Sequence, residues 1–187
     1  MKKQLAVLST AIIFALSGCG NNTNHENENK DSSQEEMNHS DMNHSSSGEV
    51  PEGLKEAVNP AYEAGTKATV KSDHMEGMNG AEATISGAFD TTVYAISYTP
   101  ATGGERVTNH KWVIHEEIKN ARDKPYKSGE EVTLKADHMK GMKGAKAKID
   151  SAQQTTVYMI DFTPTTGGEK VKNHKWVTES ELSDSGH

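Results

Sequence analysis

The chain has 187 residues, 33% hydrophobic and only 5% aromatic, with a formal net charge of −7. An acidic chain without a basic run lacks the electrostatic footprint of a nucleic-acid binder, so no nucleic-acid partner is expected. A single cysteine excludes a disulfide framework and a thiolate metal cluster.

Residues 1–18 read as a lipoprotein signal peptide. Lys2 and Lys3 form a charged start, and residues 5–16 are an apolar run too short to span a bilayer comfortably. Leu16-Ser17-Gly18-Cys19 resembles the bacterial lipobox, which implies that Cys19 is lipidated and becomes the mature N-terminus. Loss of Lys2 and Lys3 would leave a net charge of −9. With its one thiol acylated, the mature chain would have no cysteine to oxidise outside the cell. Methionine and histidine avoid disulfide formation there, although methionine can still become the sulfoxide.

Residues 19–50 are rich in Asn, Ser, Glu and His, and almost free of apolar side chains. Such a segment buries too little surface to offset chain ordering, so it is expected to be a disordered tether. It carries Met37-Asn38-His39 and Met42-Asn43-His44. The plain reading of these is polar low complexity with chance methionines; the alternative is weak metal capture.

From Tyr62 onward the sequence repeats with a period of 64 residues and no gap. Residues 62–113 and 126–177 agree at 31 of 52 positions. This tandem duplication predicts two small domains, 51–121 and 122–187. Within each, apolar residues alternate at strand spacing. Ala68 and Val70 correspond to Val132 and Leu134. Ala81, Ala83 and Ile85 correspond to Ala145, Ala147 and Ile149, and Tyr94, Ile96 and Tyr98 to Tyr158, Ile160 and Phe162. Thr-Gly-Gly turns follow at 102–104 and 166–168, and residues 114–121 have the spacing of a connecting helix. Four or five short strands in about 60 residues predict a mainly β chain of two tandem SH3-like barrels.

The residues that carry chemistry are also doubled: His74-Met75-Glu76-Gly77-Met78 and His138-Met139-Lys140-Gly141-Met142. Each is followed at equal distance by Asn-His-Lys-Trp, containing His110 with Trp112 and His174 with Trp176. Imidazole and thioether donors suit a soft monovalent ion, Cu(I) or Ag(I), and a thioether is a poor zinc ligand. The glycine-rich loops can fold back to bring His74, Met75 and Met78 together, and likewise His138, Met139 and Met142. His110 and His174 would complete the sets, each within its own repeat. Asp73 and Asp137 would orient the imidazoles, and the tryptophans would cover the ion. The competing reading makes each Met a core plug, each His a turn partner and each Trp a core residue. No nucleophile elbow, phosphate loop or metalloprotease helix is present, so no enzyme is expected.

The motif Asp-His-Met-x-Gly-Met-x-Gly-Ala, then Thr-Thr-Val-Tyr, Thr-Gly-Gly-Glu and Val-x-Asn-His-Lys-Trp-Val, resembles the YdhK family of Gram-positive copper-binding surface lipoproteins. The likeness covers about residues 60–180. It implies a lipid-anchored protein on the outer face of the membrane that sequesters copper and contributes to copper tolerance. Transfer to a copper exporter or multicopper oxidase is the alternative to storage. The rival reading is a cell-wall or peptide-binding module built of paired SH3-like domains, in which Met and Trp form a dry groove.

Overall fold

The computed structural model describes residues 45–186, and every structural statement below concerns these residues. Eight strands form one open sheet: β1 (Lys55–Glu56), β2 (Lys67–Val70), β3 (Glu82–Tyr98), β4 (Val107–Ile114), β5 (Glu131–Thr133), β6 (Lys146–Phe162), β7 (Val171–Thr178) and β8 (Leu182–Asp184). The mainly β expectation holds, but the sheet does not close into SH3-like barrels.

The reason lies in β3 and β6. The rows at Ala83/Ile85 and Tyr94/Ile96/Tyr98 belong to one unbroken strand of 17 residues, and β6 repeats this. A strand of this length spans roughly 55 Å, too long for one small barrel. Instead β3 and β6 pair antiparallel from Ala83↔Phe162 to Tyr98↔Ala147. Thr91 pairs with Thr155, its own equivalent one period later, so a pseudo-twofold axis passes between them.

This pairing exchanges halves between the repeats. One core joins Ala68, Val70, Met78, Ala83 and Ile85 of the first repeat to Tyr158, Ile160, Phe162 and Val177 of the second. The other joins Tyr94, Ile96, Tyr98 and Val113 to Val132, Leu134, Met142, Ala147 and Ile149. Between them Phe89, Val93, Trp112, Ile114, Val157, Met159 and Trp176 form a central cluster. The duplication is real, but a division near residue 121 separates two sequence repeats and cuts through both cores.

Two further expectations change. The predicted helix over 114–121 is a single 3-10 turn, His115–Glu117, after which Ile118 bridges to Leu134. Ile118 is buried in the second core, which draws the chain out into extended form. The second repeat has the same turn at Glu179–Glu181, followed by β8 on β2. Residues 45–50, the end of the expected tether, lie along the start of β7: Ser46 N–H donates to Lys172 O at 2.9 Å, and Ser46 Oγ–H to Asn173 O at 2.7 Å. The signal peptide and the rest of the tether fall outside the described residues.

Candidate functional site

Each His-Met loop leaves a short strand (β2 or β5) and returns into a long one. Its glycine is held against the other repeat: Ala101 N–H donates to Gly141 O at 2.8 Å and Thr165 N–H to Gly77 O at 2.8 Å. At Gly141 φ is +79°, and a Cβ there would sit 2.5 Å from Thr102 Oγ1. Only glycine fits both the backbone and the space.

Both loops and both Asn-His-Lys-Trp segments open onto one cleft of about 1550 Å³, lined among others by His74, Met75, His110, His138, Met139 and His174. The swap of halves decides which residues meet. His110 packs against the loop of the other repeat. Its ring lies 6.2 Å from that of His138, tilted by 42°, and 6.1 Å from Tyr98. The Tyr98 hydroxyl also reaches Met139 Sδ, at 3.8 Å. His110, His138 and Met139 therefore surround one spot, with His110 contributed by the other repeat. In the pseudo-equivalent lobe His174 packs edge-on against Phe162 at 5.7 Å, and Met75 packs on the same core.

Met78 and Met142 leave the predicted set. Both are fully buried, in different cores, and Met78 Sδ accepts the Ser72 hydroxyl at 3.7 Å. They fill irregular gaps, as methionine does well. The tryptophans do not cover the cleft either. Lys111 Nζ lies 5.1 Å from the Trp112 ring centre and Lys175 Nζ 5.6 Å from that of Trp176, so each indole has a cation of its own chain over it. Met37, His39, Met42, His44 and Cys19 are outside the described residues.

The groups that orient the imidazoles are Glu181 and Glu117, not Asp73 and Asp137. His74 Nε2 is 2.8 Å from Glu181 Oε1, and His138 Nε2 is 2.8 Å from Glu117 Oε1. The same carboxylates accept the indole N–H groups: Trp112 at Glu181 (2.8 Å) and Trp176 at Glu117 (3.1 Å). Each also accepts the backbone N–H just before its 3-10 turn, from Thr178 and Ile114. Burial works to raise the Glu181 carboxyl, but the hydrogen bond and charge of His74, with the Thr178 and Trp112 donors, outweigh it and bring the pKa down to about 2. Glu117 is lowered in the same way by His138 against its deeper burial.

An ionised carboxylate only accepts, so when its histidine is neutral each Glu fixes it as the Nε2–H tautomer. The lone pair is then on Nδ1. His74 Nδ1 is buried and has no hydrogen-bond partner. A histidine whose one nitrogen is held by a carboxylate while the other is left bare is the arrangement of a metal-ligating imidazole. No cluster of three His, Cys, Asp or Glu side chains that could share an ion occurs among the described residues.

Glu117 and Glu181 lie outside the residue set that the motifs predict, yet the sequence carries a signal for them. They are identical one period apart, whereas His115 becomes Glu179 and Glu116 becomes Ser180. Thr178-x-x-Glu181 is also a capping-box spacing.

These features define a duplicated, half-exchanged β protein with one cleft shared by both repeats. The chain belongs to the DUF1541 family, described as proteins of unknown function, whose model matches residues 64–115 and 128–179. It is 56% identical over 182 residues to a Bacillus subtilis (strain 168) relative described as uncharacterized protein YdhK, covering 97% of this chain and 89% of that one. A crystal structure of that DUF1541 protein is similar with a TM-score of 0.75 and 62% identity, over 79% of this chain and 100% of that one. A solution structure of the B. subtilis ydhK C-terminal domain gives a TM-score of 0.63 and 63% identity, over 66% of this chain and 93% of that one.

Proposed function

We propose that the cleft binds a soft monovalent cation, Cu(I) or its chemical analogue Ag(I), one per lobe, and that the protein sequesters copper without catalytic turnover. The observation that carries this reading is His74, held by Glu181 through Nε2 with its buried Nδ1 unpartnered, in a cleft also lined by Met75; His138 repeats the carboxylate pairing, with Met139 in the same cleft. One set is His138 and Met139 with His110; the other is His74 and Met75 with His174. Two imidazoles and a sulfur meet the modest coordination demand of Cu(I). The cation is cargo: the chain supplies the donors, and Glu117 and Glu181 set their orientation. A lipidated Cys19 would hold this activity at the outer face of the membrane, in keeping with copper tolerance and with a copper exporter or multicopper oxidase as partner.

The test is a titration of residues 20–187 with Cu(I) against a competing chelator. The expected result is a marked loss of affinity when Met75 and Met139 are both changed to Leu, and loss of one ion per chain for His138→Ala. Unchanged stoichiometry and affinity in both variants would overturn the reading.

A further inference from the structure

The two lobes present the same donors beside different neighbours. In one, the Tyr98 ring packs edge-on against His110 at 6.1 Å, and its hydroxyl donates to Met139 Sδ at 3.8 Å. In the other, Phe162 stands one period after Tyr98 and packs edge-on against His174 at 5.7 Å, with Met75 on the same core. Both rings keep only 1% exposure, so the two places match and a single hydroxyl separates them. Burial pushes the Tyr98 phenol above its usual range, which keeps it an O–H donor at neutral pH.

The loops differ in the same sense. Met75 is followed by Glu76 and then Asn79, whereas Met139 is followed by Lys140 and then Lys143. All four side chains are exposed, and Glu76, Asn79 and Lys143 line the cleft. A carboxylate beside the donors attracts a cation and an ammonium repels it, each modestly in water and less so in salt.

A thioether is a weak acceptor with two lone pairs. An ion that took the pair facing Tyr98 would leave a buried hydroxyl without its acceptor, which is costly. An ion that took the other pair would meet a sulfur already giving up electron density to the hydroxyl. Both routes weaken Met139 as a donor, and Phe162 has no hydroxyl to impose the same on Met75.

We infer that Tyr98 sets the two lobes to different strengths: His74, Met75 and His174 take the first soft cation, and His110, His138 and Met139 take the second. This rests on the reading that the cleft takes such a cation. Tyr98 is a positioning residue, acting on the ion only through the Met139 sulfur, and Lys140 and Lys143 push in the same direction. Two strengths in one cleft widen the range of ion concentration over which it responds.

The experiment uses the full mature chain and Ag(I), which does not redox-cycle with peroxide. After one equivalent of Ag(I), hydrogen peroxide is added. A free methionine sulfur takes one peroxide oxygen, the O–O bond breaks, and sulfoxide and water form. Peptide mass spectrometry should find Met75 protected before Met139. Titration against a competing chelator should show two steps, and Tyr98→Phe should tighten the weaker one about threefold. Lys140→Glu with Lys143→Asn should tighten it in low salt and lose that effect in high salt. In the metal-free chain, Tyr98→Phe should speed Met139 oxidation about threefold and leave Met75 unchanged. Met142, buried in the core with Tyr98, should stay unreactive, which separates the loss of the hydroxyl from a loosened fold. This last readout needs no ion, so a chain that binds none would sink the proposed function while the hold of Tyr98 on the sulfur is still decided. Protection of Met139 first or of both sulfurs equally, or an unchanged Met139 oxidation rate in Tyr98→Phe, would overturn the inference.

Discussion

Replacing Glu117 by Ala tests the network that ties the repeats together. The carboxylate is buried, and its Oε2 accepts from Trp176 Nε1 at 3.1 Å and from Ile114 N at 3.2 Å, while Oε1 faces His138 Nε2 at 2.8 Å. Removing it strands three donors. The His138 side chain keeps 14% exposure and lines the cleft, so water can satisfy it. Trp176 and Ile114 are fully buried, so their N–H groups go unmet. At about 1–3 kcal/mol for each of these two stranded donors, the variant should lose about 2–6 kcal/mol. For a folded unit of this size that lowers the melting point by roughly 10 °C. Glu181→Ala should cost about 1 kcal/mol less, because that carboxylate keeps 16% exposure and Trp112 8%. Glu117→Gln, which keeps the shape and one acceptor, should fall between wild type and Ala. Urea unfolding followed by tryptophan fluorescence measures all three, and long-range nitrogen NMR should show His138 leaving the Nε2–H tautomer in Glu117→Ala. A loss under about 1 kcal/mol for Glu117→Ala, or an unchanged tautomer, would refute the reasoning.

Residues 51–121 expressed alone should not yield a folded monomer, since each core needs strands from both repeats; circular dichroism and sedimentation should find an unfolded chain or a twofold dimer that rebuilds the exchange. Met78→Leu and Met142→Leu should each cost under about 1.5 kcal/mol, as volume-conserving core changes do, and leave Cu(I) stoichiometry intact; loss of an ion would return these sulfurs to the ligand set. Glu181 has its pKa lowered from 4.5 to about 2 on folding. Its contribution, on the order of 2–3 kcal/mol, is therefore present above pH 4.5 and lost as pH falls towards 2. Acid unfolding should reveal that loss, and Glu181→Gln should flatten the slope.

How much of this was legible in the sequence follows from what periodicity can encode. Alternation at Ala83/Ile85 and at Tyr94/Ile96/Tyr98 fixes which face of a strand is buried, and those residues are indeed core. It says nothing about whose core. Two repeats agreeing at 31 of 52 positions offer the same apolar face twice, so a strand end fits its own repeat and the twin's equally well. The choice is made by the stretch between the rows, where Phe89 and Val93 are buried and the strand runs straight on instead of turning. A turn there would have given two closed units, with His110 beside His74. Because β3 continues, His110 is carried across to His138, and Glu117 to the same histidine. The residue types of the candidate site were thus readable while their partnership was not. Reversing the outcome should take only a Pro-Gly turn inserted between Phe89 and Val93 and its equivalent in β6, which would let each repeat fold back on itself and move His110 away from His138.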